Sequence, residues 1–224
     1  MTKDRLKKTI FFSFTGIILV IVAYNLWAYQ GTLLAPLIKD FHTDSPHEPI
    51  TSVLEKKGIV TPVSGLWLEV VKSKHALTVY KGKTPIKTYS IALGKDYLSD
   101  KEKAGDNKMP EGKFLITEKT VFSPPRRFLG SRLFLLNYPN SEDLIRGLRQ
   151  GSLTASEFLA IEKAGKEGVT PPQNTPLGGD ISIHGGNGPL MGNSWTNGSA
   201  ALYSKDMEEI FDLVPVGSEV VIRK

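Results

Sequence analysis

Short runs rich in β-branched and aromatic residues recur along the chain after residue 65, and they restrict it to a mainly β fold. Runs of this length and composition, bounded by turn-forming residues, are typical of strands. Lys81-Gly82-Lys83 forms a natural turn between two of them. The sequence therefore predicts a sheet-rich domain over residues 66–224. Strands are expected at residues 66–72, 77–80, 86–93, 113–119, 132–138, 180–184 and 219–223.

One region departs from the strand pattern. Apolar residues recur near helical spacing over residues 141–166, which predicts a helical insert carried on the sheet. Gly147 and the Gln150-Gly151 pair are expected to divide the insert into two short helices. Another helix is predicted to begin after Ser204, a favourable N-cap residue. Its expected core face consists of Met207, Ile210, Phe211 and Val214.

The amino terminus has the composition of a membrane-targeting segment. Basic residues within positions 3–8 precede an apolar run over residues 10–27. At about 1.5 Å per residue this run nearly spans a hydrocarbon layer of about 30 Å. The basic residues favour a cytoplasmic amino terminus, so the rest of the chain is expected to be periplasmic or otherwise extracytoplasmic.

These patterns divide the chain into three parts. Residues 1–29 are predicted to be a single-pass transmembrane helix that anchors the chain in the cell membrane. Residues 30–65 mix prolines with polar residues and are predicted to be a spacer, and residues 66–224 form the domain. The alternative is that the first segment is a signal peptide, so that the domain is secreted after cleavage.

Charge and cysteine content exclude several classes of function. The formal net charge is +5, and the basic residues are scattered among acidic ones. This pattern suits an anionic membrane or wall and does not form a nucleic-acid-binding stripe, so no nucleic-acid partner is expected. The chain has no cysteine, which excludes disulfides, thiolate metal sites and a cysteine nucleophile. Its histidines are too dispersed to predict a metal site.

The densest functional signal is a histidine followed by a glycine-rich turn. A predicted strand delivers His184 to a loop that begins with Gly185-Gly186, and a later turn presents the Ser199 hydroxyl beside Gly198. A nucleophile needs such a turn because an acyl group and backbone N–H donors must surround it. Histidine suits the role of partner because it takes and returns a proton near neutral pH. By itself, the spacing is equally compatible with a strand end and an ordinary turn.

His184-Gly185, followed by Thr196-Asn197-Gly198-Ser199, resembles the signature of the L,D-transpeptidases (YkuD family). That signature is a histidine-glycine pair and then, after a loop of similar length, Ser/Thr-x-Gly-Cys. The resemblance extends from about residue 66 to residue 223. Further similar stretches are Gly105-Asp106, Met109-Pro110-Glu111-Gly112-Lys113-Phe114, Asn137-Tyr138-Pro139-Asn140 and Thr175-Pro176-Leu177-Gly178-Gly179.

The resemblance implies a β-sandwich-like catalytic domain that acts on peptidoglycan stem peptides without a metal or organic cofactor. Family members attack the L-centre carbonyl of a tetrapeptide donor, release the terminal D-alanine and hold the acyl group as a thioester, which an amine of another stem receives. By position, Ser199 matches the nucleophile and His184 the general base and acid, and the Gly198 and Ser199 backbone supplies the oxyanion donors. Substrate binding is expected at Gly185, Trp195, Thr196 and Gly198.

Two residues depart from the family pattern. Ser199 stands in place of the cysteine, and its hydroxyl stays protonated, whereas a thiol with a pKa of about 8.5 forms a useful thiolate beside histidine. Ala201 stands where many members carry arginine, so no contact with a substrate carboxylate is assigned to it. Asp106 and Glu111 are interpreted as turn residues, with substrate contact as the alternative.

The leading functional prediction is L,D-transpeptidase-type acyl transfer in cell-wall cross-linking or protein attachment. Serine at position 199 is compatible with an engineered inactivating change, a naturally impaired homologue or a true serine variant. The alternative is a catalytically silent peptidoglycan-binding or scaffold protein that keeps the groove. The two predictions differ in whether the chain forms a covalent bond with its ligand.

Overall fold

A computed structural model of the protein describes residues 48–186 and 194–224. The predicted transmembrane helix over residues 1–29 lies outside these residues, as does the first part of the predicted spacer over residues 30–65. Within the part of the chain that is described, no helix is long and apolar enough to cross a membrane.

The described part of the chain alternates between short strands and a few helices. The strands are β1 (Leu66–Val71), β2 (Ala76–Lys81), β3 (Thr84–Ser90), β4 (Leu93–Gly94), β5 (Gly112–Arg126), β6 (Gly130–Leu136), β7 (Ser182–Gly186), β8 (Ser194–Thr196), β9 (Ala200–Tyr203) and β10 (Glu219–Arg223). The helices are α1 (Ile50–Lys56), α2 (Ser141–Arg149), α3 (Ala155–Glu167) and α4 (Ser204–Phe211), with one 3-10 turn (Lys72–Lys74). Each strand range predicted from the sequence contains or overlaps one of these strands.

The strands pair as one eight-stranded series in the order β3-β2-β1-β10-β5-β6-β7-β9, and β4 pairs separately with β8. The long strand β5 joins two halves of the series, β3-β2-β1-β10 and β6-β7-β9, because it pairs with β10 and with β6. Both halves contribute to a single hydrophobic core, which includes Leu68, Leu77, Phe134, Ile183 and Ile222. The predicted mainly β fold is confirmed. Where a sandwich was expected, eight of the described strands form one continuous series, and both halves of that series pack on the shared core.

The helical insert divides into two helices, as predicted. Helix α2 begins with a capping box, in which the Asn140 side chain accepts from the Asp143 N–H and the Asp143 carboxylate accepts from the Asn140 N–H. Gly151, with φ of 62°, follows its end. The prediction that Gly147 breaks the helix is wrong, because α2 continues through it. A Cβ atom there would lie 2.6 Å from Cδ1 of Leu153, so glycine permits close packing.

Helix α4 follows β9 directly and contacts β6 and β7. Its predicted core face is confirmed, because Met207, Ile210, Phe211 and Val214 are all buried. Ser204 is the first residue of the helix and not its N-cap, which corrects the prediction. Its hydroxyl donates instead to the Gly186 carbonyl at 3.0 Å and ties α4 to the end of β7.

Helix α1 lies inside the predicted spacer of residues 30–65 and packs on the domain. Ile50 and Leu54 are buried in the main core. The Ile50 N–H also donates to the carboxylate of Glu209 on α4. That carboxylate accepts from Lys87 Nζ and the Tyr89 hydroxyl, each at 2.7 Å. The folded domain therefore begins before residue 66.

Candidate active site

His184 lies on β7, an internal strand that pairs with β6 on one side and β9 on the other. Its side chain is buried, and its Nδ1 atom lies 2.6 Å from the carbonyl oxygen of Gly185. This contact assigns the hydrogen to Nδ1, because a carbonyl oxygen only accepts, and leaves Nε2 with a lone pair. Burial lowers the pKa of His184 more than the contact with Gly185 raises it. The ring is therefore neutral near pH 7 and can accept a proton at Nε2.

Ser199 lies in the tight turn between β8 and β9. The Thr196 hydroxyl closes this turn by donating to the Ser199 carbonyl at 2.6 Å and accepting from the Gly198 N–H at 3.4 Å. Gly198 has φ of 117°, a conformation that residues with a side chain rarely adopt. Thr196 and Gly198 thus shape the backbone that presents the Ser199 side chain.

The Ser199 hydroxyl contacts the beginning of β7. The Ser182 N–H donates to Ser199 Oγ at 3.1 Å, and the two serine hydroxyl oxygens are also 3.1 Å apart. Ser182 and His184 project from the same face of the strand, with α-carbons about 7 Å apart, because strand side chains alternate between faces. The structure therefore brings the Ser199 hydroxyl to the face of β7 that carries His184. Within the described residues, no hydrogen bond joins these two side chains directly.

The Trp195 ring lies near both His184 and Phe128, an exposed aromatic residue. Its ring centroid is 6.1 Å from that of His184 in an edge-to-face arrangement and 6.3 Å from that of Phe128. Its Nε1 atom is buried and has no hydrogen-bond partner among the described residues. Gly185, another residue predicted to bind substrate, is buried where its backbone packs against Gly130 and Ser204. Substrate binding by these residues, and by Thr196 and Gly198, stays a prediction.

The loop that contains Asp106 lies close to the turn that carries Ser199, because a Cβ atom on Gly198 would be 2.6 Å from the Lys108 carbonyl oxygen. The Asp106 carboxylate accepts from Lys101 Nζ at 2.7 Å, and both side chains are buried. It also accepts from backbone N–H groups at residues 102, 103 and 108. Glu111 forms an ion pair with the buried Lys72 at 2.7 Å. These contacts agree with the interpretation of both acidic residues as structural.

The sequence patterns predict no role for Ser182, although its side chain contacts the predicted nucleophile. The signal that identifies it is strand alternation, because the residue two positions before His184 shares its face of β7. The contact itself joins residues that are distant in the sequence, so the pattern within one strand does not reveal it.

Comparison with known proteins identifies related sequences and structures. The YkuD family, described as the L,D-transpeptidase catalytic domain, matches residues 65–222. Among similar solved structures, the helical cell shape determining protein Pgp2 from Campylobacter jejuni is 21% identical, with 78% of this chain and 55% of that chain covered and a TM-score of 0.47. Bd1075 from Bdellovibrio bacteriovorus is 20% identical, with 73% and 49% covered and a TM-score of 0.47.

A mutant of the Enterococcus faecium L,D-transpeptidase is 13% identical, with 72% of this chain and 50% of that chain covered and a TM-score of 0.42. The chain spans about half the length of these three solved chains. No curated protein matches it significantly. The family match extends over most of the chain, and the protein therefore belongs to the L,D-transpeptidase (YkuD) family.

Proposed function

We propose that this domain carries out L,D-transpeptidase-type acyl transfer on peptidoglycan stem peptides, in wall cross-linking or protein attachment. Ser199 is the nucleophile and His184 the general base and acid. One observation carries the proposal: Ser199 Oγ contacts Ser182, two residues before a buried, neutral histidine on the same face of β7. A nucleophile and a base on one face of a strand, within a turn that matches the family signature, suit acyl transfer.

The proposed reaction proceeds in two stages. Ser199 Oγ attacks the L-centre carbonyl carbon of the donor peptide, a C–O bond forms, and the hydroxyl proton passes to Nε2 of His184. The C–N bond to the terminal D-alanine breaks, and the leaving amine takes that proton. An amine of a second stem then attacks the ester, its proton passes to His184, and the released Ser199 oxygen takes the proton back. The backbone N–H groups of Gly198 and Ser199 stabilise the oxyanion.

The first test is covalent capture of the donor. Intact-protein mass spectrometry after incubation with a tetrapeptide, and separately with a carbapenem, is expected to show one acyl adduct on the unmodified chain. The matched control is Ser199→Ala, which removes only the attacking oxygen and is expected to show no adduct. An adduct of the same size on Ser199→Ala would assign the chemistry to another residue and contradict the proposal.

The substrate class also requires a location outside the cytoplasm. The basic prefix and apolar run over residues 1–29 support an anchor in the cell membrane, with the domain on the extracytoplasmic side. A reporter that is active only after export, fused behind Lys224, is expected to be active. Activity only from a reporter confined to the cytoplasm would contradict this location.

A second candidate function is binding of peptidoglycan without catalysis. It is favoured by the hydrogen bonds of the Ser199 hydroxyl, which donates to the Asp180 carbonyl and contacts Ser182, with no hydrogen bond to His184 among the described residues. Attack on a substrate then requires the hydroxyl to rotate towards the histidine, and a serine hydroxyl is a weaker nucleophile than a thiolate. Saturable binding of a tetrapeptide without adduct or product would favour this function.

A further inference from the structure

Ser182 directs two hydrogen-bonding groups at a single atom. Its backbone N–H donates to Ser199 Oγ at 3.1 Å, and its own hydroxyl oxygen lies 3.1 Å from the same atom. Ser182 as a whole is 3% exposed, so water has little access to it. Among the described residues, the Ser182 hydroxyl has no partner besides Ser199. Within residues 48–186 and 194–224, the hydrogen-bonding contact of this hydroxyl is therefore with the predicted nucleophile.

The carbonyl of Asp180 determines the direction of these hydrogen bonds. Ser199 Oγ lies 3.4 Å from this oxygen, which can only accept, so the Ser199 hydroxyl is the donor there. The contact between the two hydroxyls fits either serine as donor; when the single Ser199 hydrogen is directed at Asp180, Ser199 Oγ accepts from both the N–H and the O–H of Ser182. Two donors held by one internal strand thus converge on the oxygen that would attack the substrate.

We propose that Ser182 is a further catalytic residue, which orients the side chain of residue 199 and stabilises the negative charge that develops when this side chain loses its proton. The inference rests on the proposed function, in which residue 199 is the nucleophile. Hydrogen bonds to an ionised acceptor are about twice as strong as neutral ones, so both Ser182 donors favour the deprotonated nucleophile. Because β7 holds them in place beforehand, they need no reorganisation during the reaction.

Side-chain substitution can remove one of these donors and keep the other. Ser182→Ala deletes the hydroxyl, leaves the backbone N–H in place and fits the space, since alanine is smaller. Ser182→Thr retains a hydroxyl and is the conservative rescue variant. The matched control is Ser131→Ala on the neighbouring strand β6, because Ser131 is also buried but its hydroxyl donates to Glu208.

The test measures the acidity of the nucleophile and not transpeptidation, so it is independent of whether the proposed function holds. In the Ser199→Cys background, the rate of alkylation by iodoacetamide follows the thiolate fraction as the pH changes. His184, on the same face of β7, and the exposed Asp180 are present in every variant. Differences between variants therefore report the change made at position 182 or 131.

Adding Ser182→Ala is expected to move the alkylation profile to higher pH and to slow the reaction roughly tenfold below the thiol pKa, because one hydrogen bond to a charged group is lost. Ser182→Thr is expected to restore most of the rate, and Ser131→Ala to leave the profile unchanged. Thermal unfolding of each variant verifies that it is folded. If the profile of a folded Ser182→Ala variant coincides with that of its parent, the assignment of Ser182 is wrong. Failure of acylation with the tetrapeptide would instead contradict the proposed function.

Discussion

The carbonyl oxygen of Lys108 lies so close to Gly198 that a Cβ atom on residue 198 would be 2.6 Å from it. The backbone of Gly198 has φ of 117°, so conformation and space both exclude a side chain at this position. Gly198 immediately precedes Ser199. The contact therefore couples the position of Ser199 to the loop that contains Lys108.

Gly198→Ala is expected to reduce acylation by at least about tenfold, because the new methyl group must displace either the Lys108 carbonyl or the Ser199 turn. The matched control is Gly217→Ala, at a site with φ of 87° but nothing within 4 Å of the added atom. Both changes strain the backbone, and only the first meets a neighbour. Mass-detected acylation rates and thermal unfolding measure the two effects. Equal loss of acylation in both variants would contradict a specific role for the contact.

The buried ion pair between Lys101 and Asp106 holds the same loop. Asp106→Asn leaves the Lys101 charge buried without a charged partner, and we expect the free energy of unfolding to fall by about 3 kcal/mol. The control is Asp96→Asn, whose side chain is 50% exposed and whose distance to Lys108 Nζ is 3.8 Å. That change is expected to cost less than about 1 kcal/mol. Urea unfolding of both variants tests this, and similar losses would contradict the role assigned to burial.

Local sequence patterns identified much of the fold, because strands and capped helices depend on residues close together in the chain. The prolines that begin near residue 36 suggested a spacer, and only the packing of Ile50 and Leu54 into the core shows that α1 belongs to the domain. The predictions for Gly147 and Ser204 are wrong for a similar reason. Their roles depend on contacts with Leu153 and Gly186, which local propensity does not encode.

In the candidate site, too, some residues follow from sequence patterns and others only from contacts between distant segments. The signature residues His184 and Ser199 were found in the sequence because they resemble a family pattern. The role of Ser182 depends on the pairing of β7 with β9, which brings a strand residue beside a turn that is distant in the sequence. Strand pairing of this kind follows from the whole fold and not from either segment alone.

The buried histidine predicts a specific dependence on pH. Burial lowers the pKa of His184 below its ordinary value of 6.5, so it stays unprotonated as the pH falls past 6.5. If His184 is the general base, as proposed, the acylation rate is expected to decline only at lower pH, where His184 becomes protonated. The unfolded chain binds this proton more tightly than the folded one. The free energy of unfolding should therefore decrease as the pH falls from above 6.5 towards the folded pKa.

Two measurements check this dependence. Acylation rates over about pH 4.5 to 8 locate the acidic limb, and urea unfolding over the same range reports stability. His184→Gln is the control for the second measurement, because it removes the titrating ring and should weaken the decrease in stability. If the acidic limb of the acylation profile is centred at or above the ordinary histidine pKa, burial does not determine the pKa of His184.

Ser199→Cys is expected to increase acyl transfer by at least about tenfold, which corresponds to about 1.4 kcal/mol of activation free energy. A thiolate forms far more readily than an alkoxide beside the neutral His184 and the two donors of Ser182. Attack by cysteine therefore depends less on proton transfer to His184 in the transition state. Ser199→Ala should abolish acylation but leave tetrapeptide binding nearly unchanged, since binding does not require the attacking atom. Acyl adducts, products and binding of all three forms are compared under identical conditions. Rapid turnover by the serine form, weakened by cysteine, would instead identify a site adapted to a serine nucleophile.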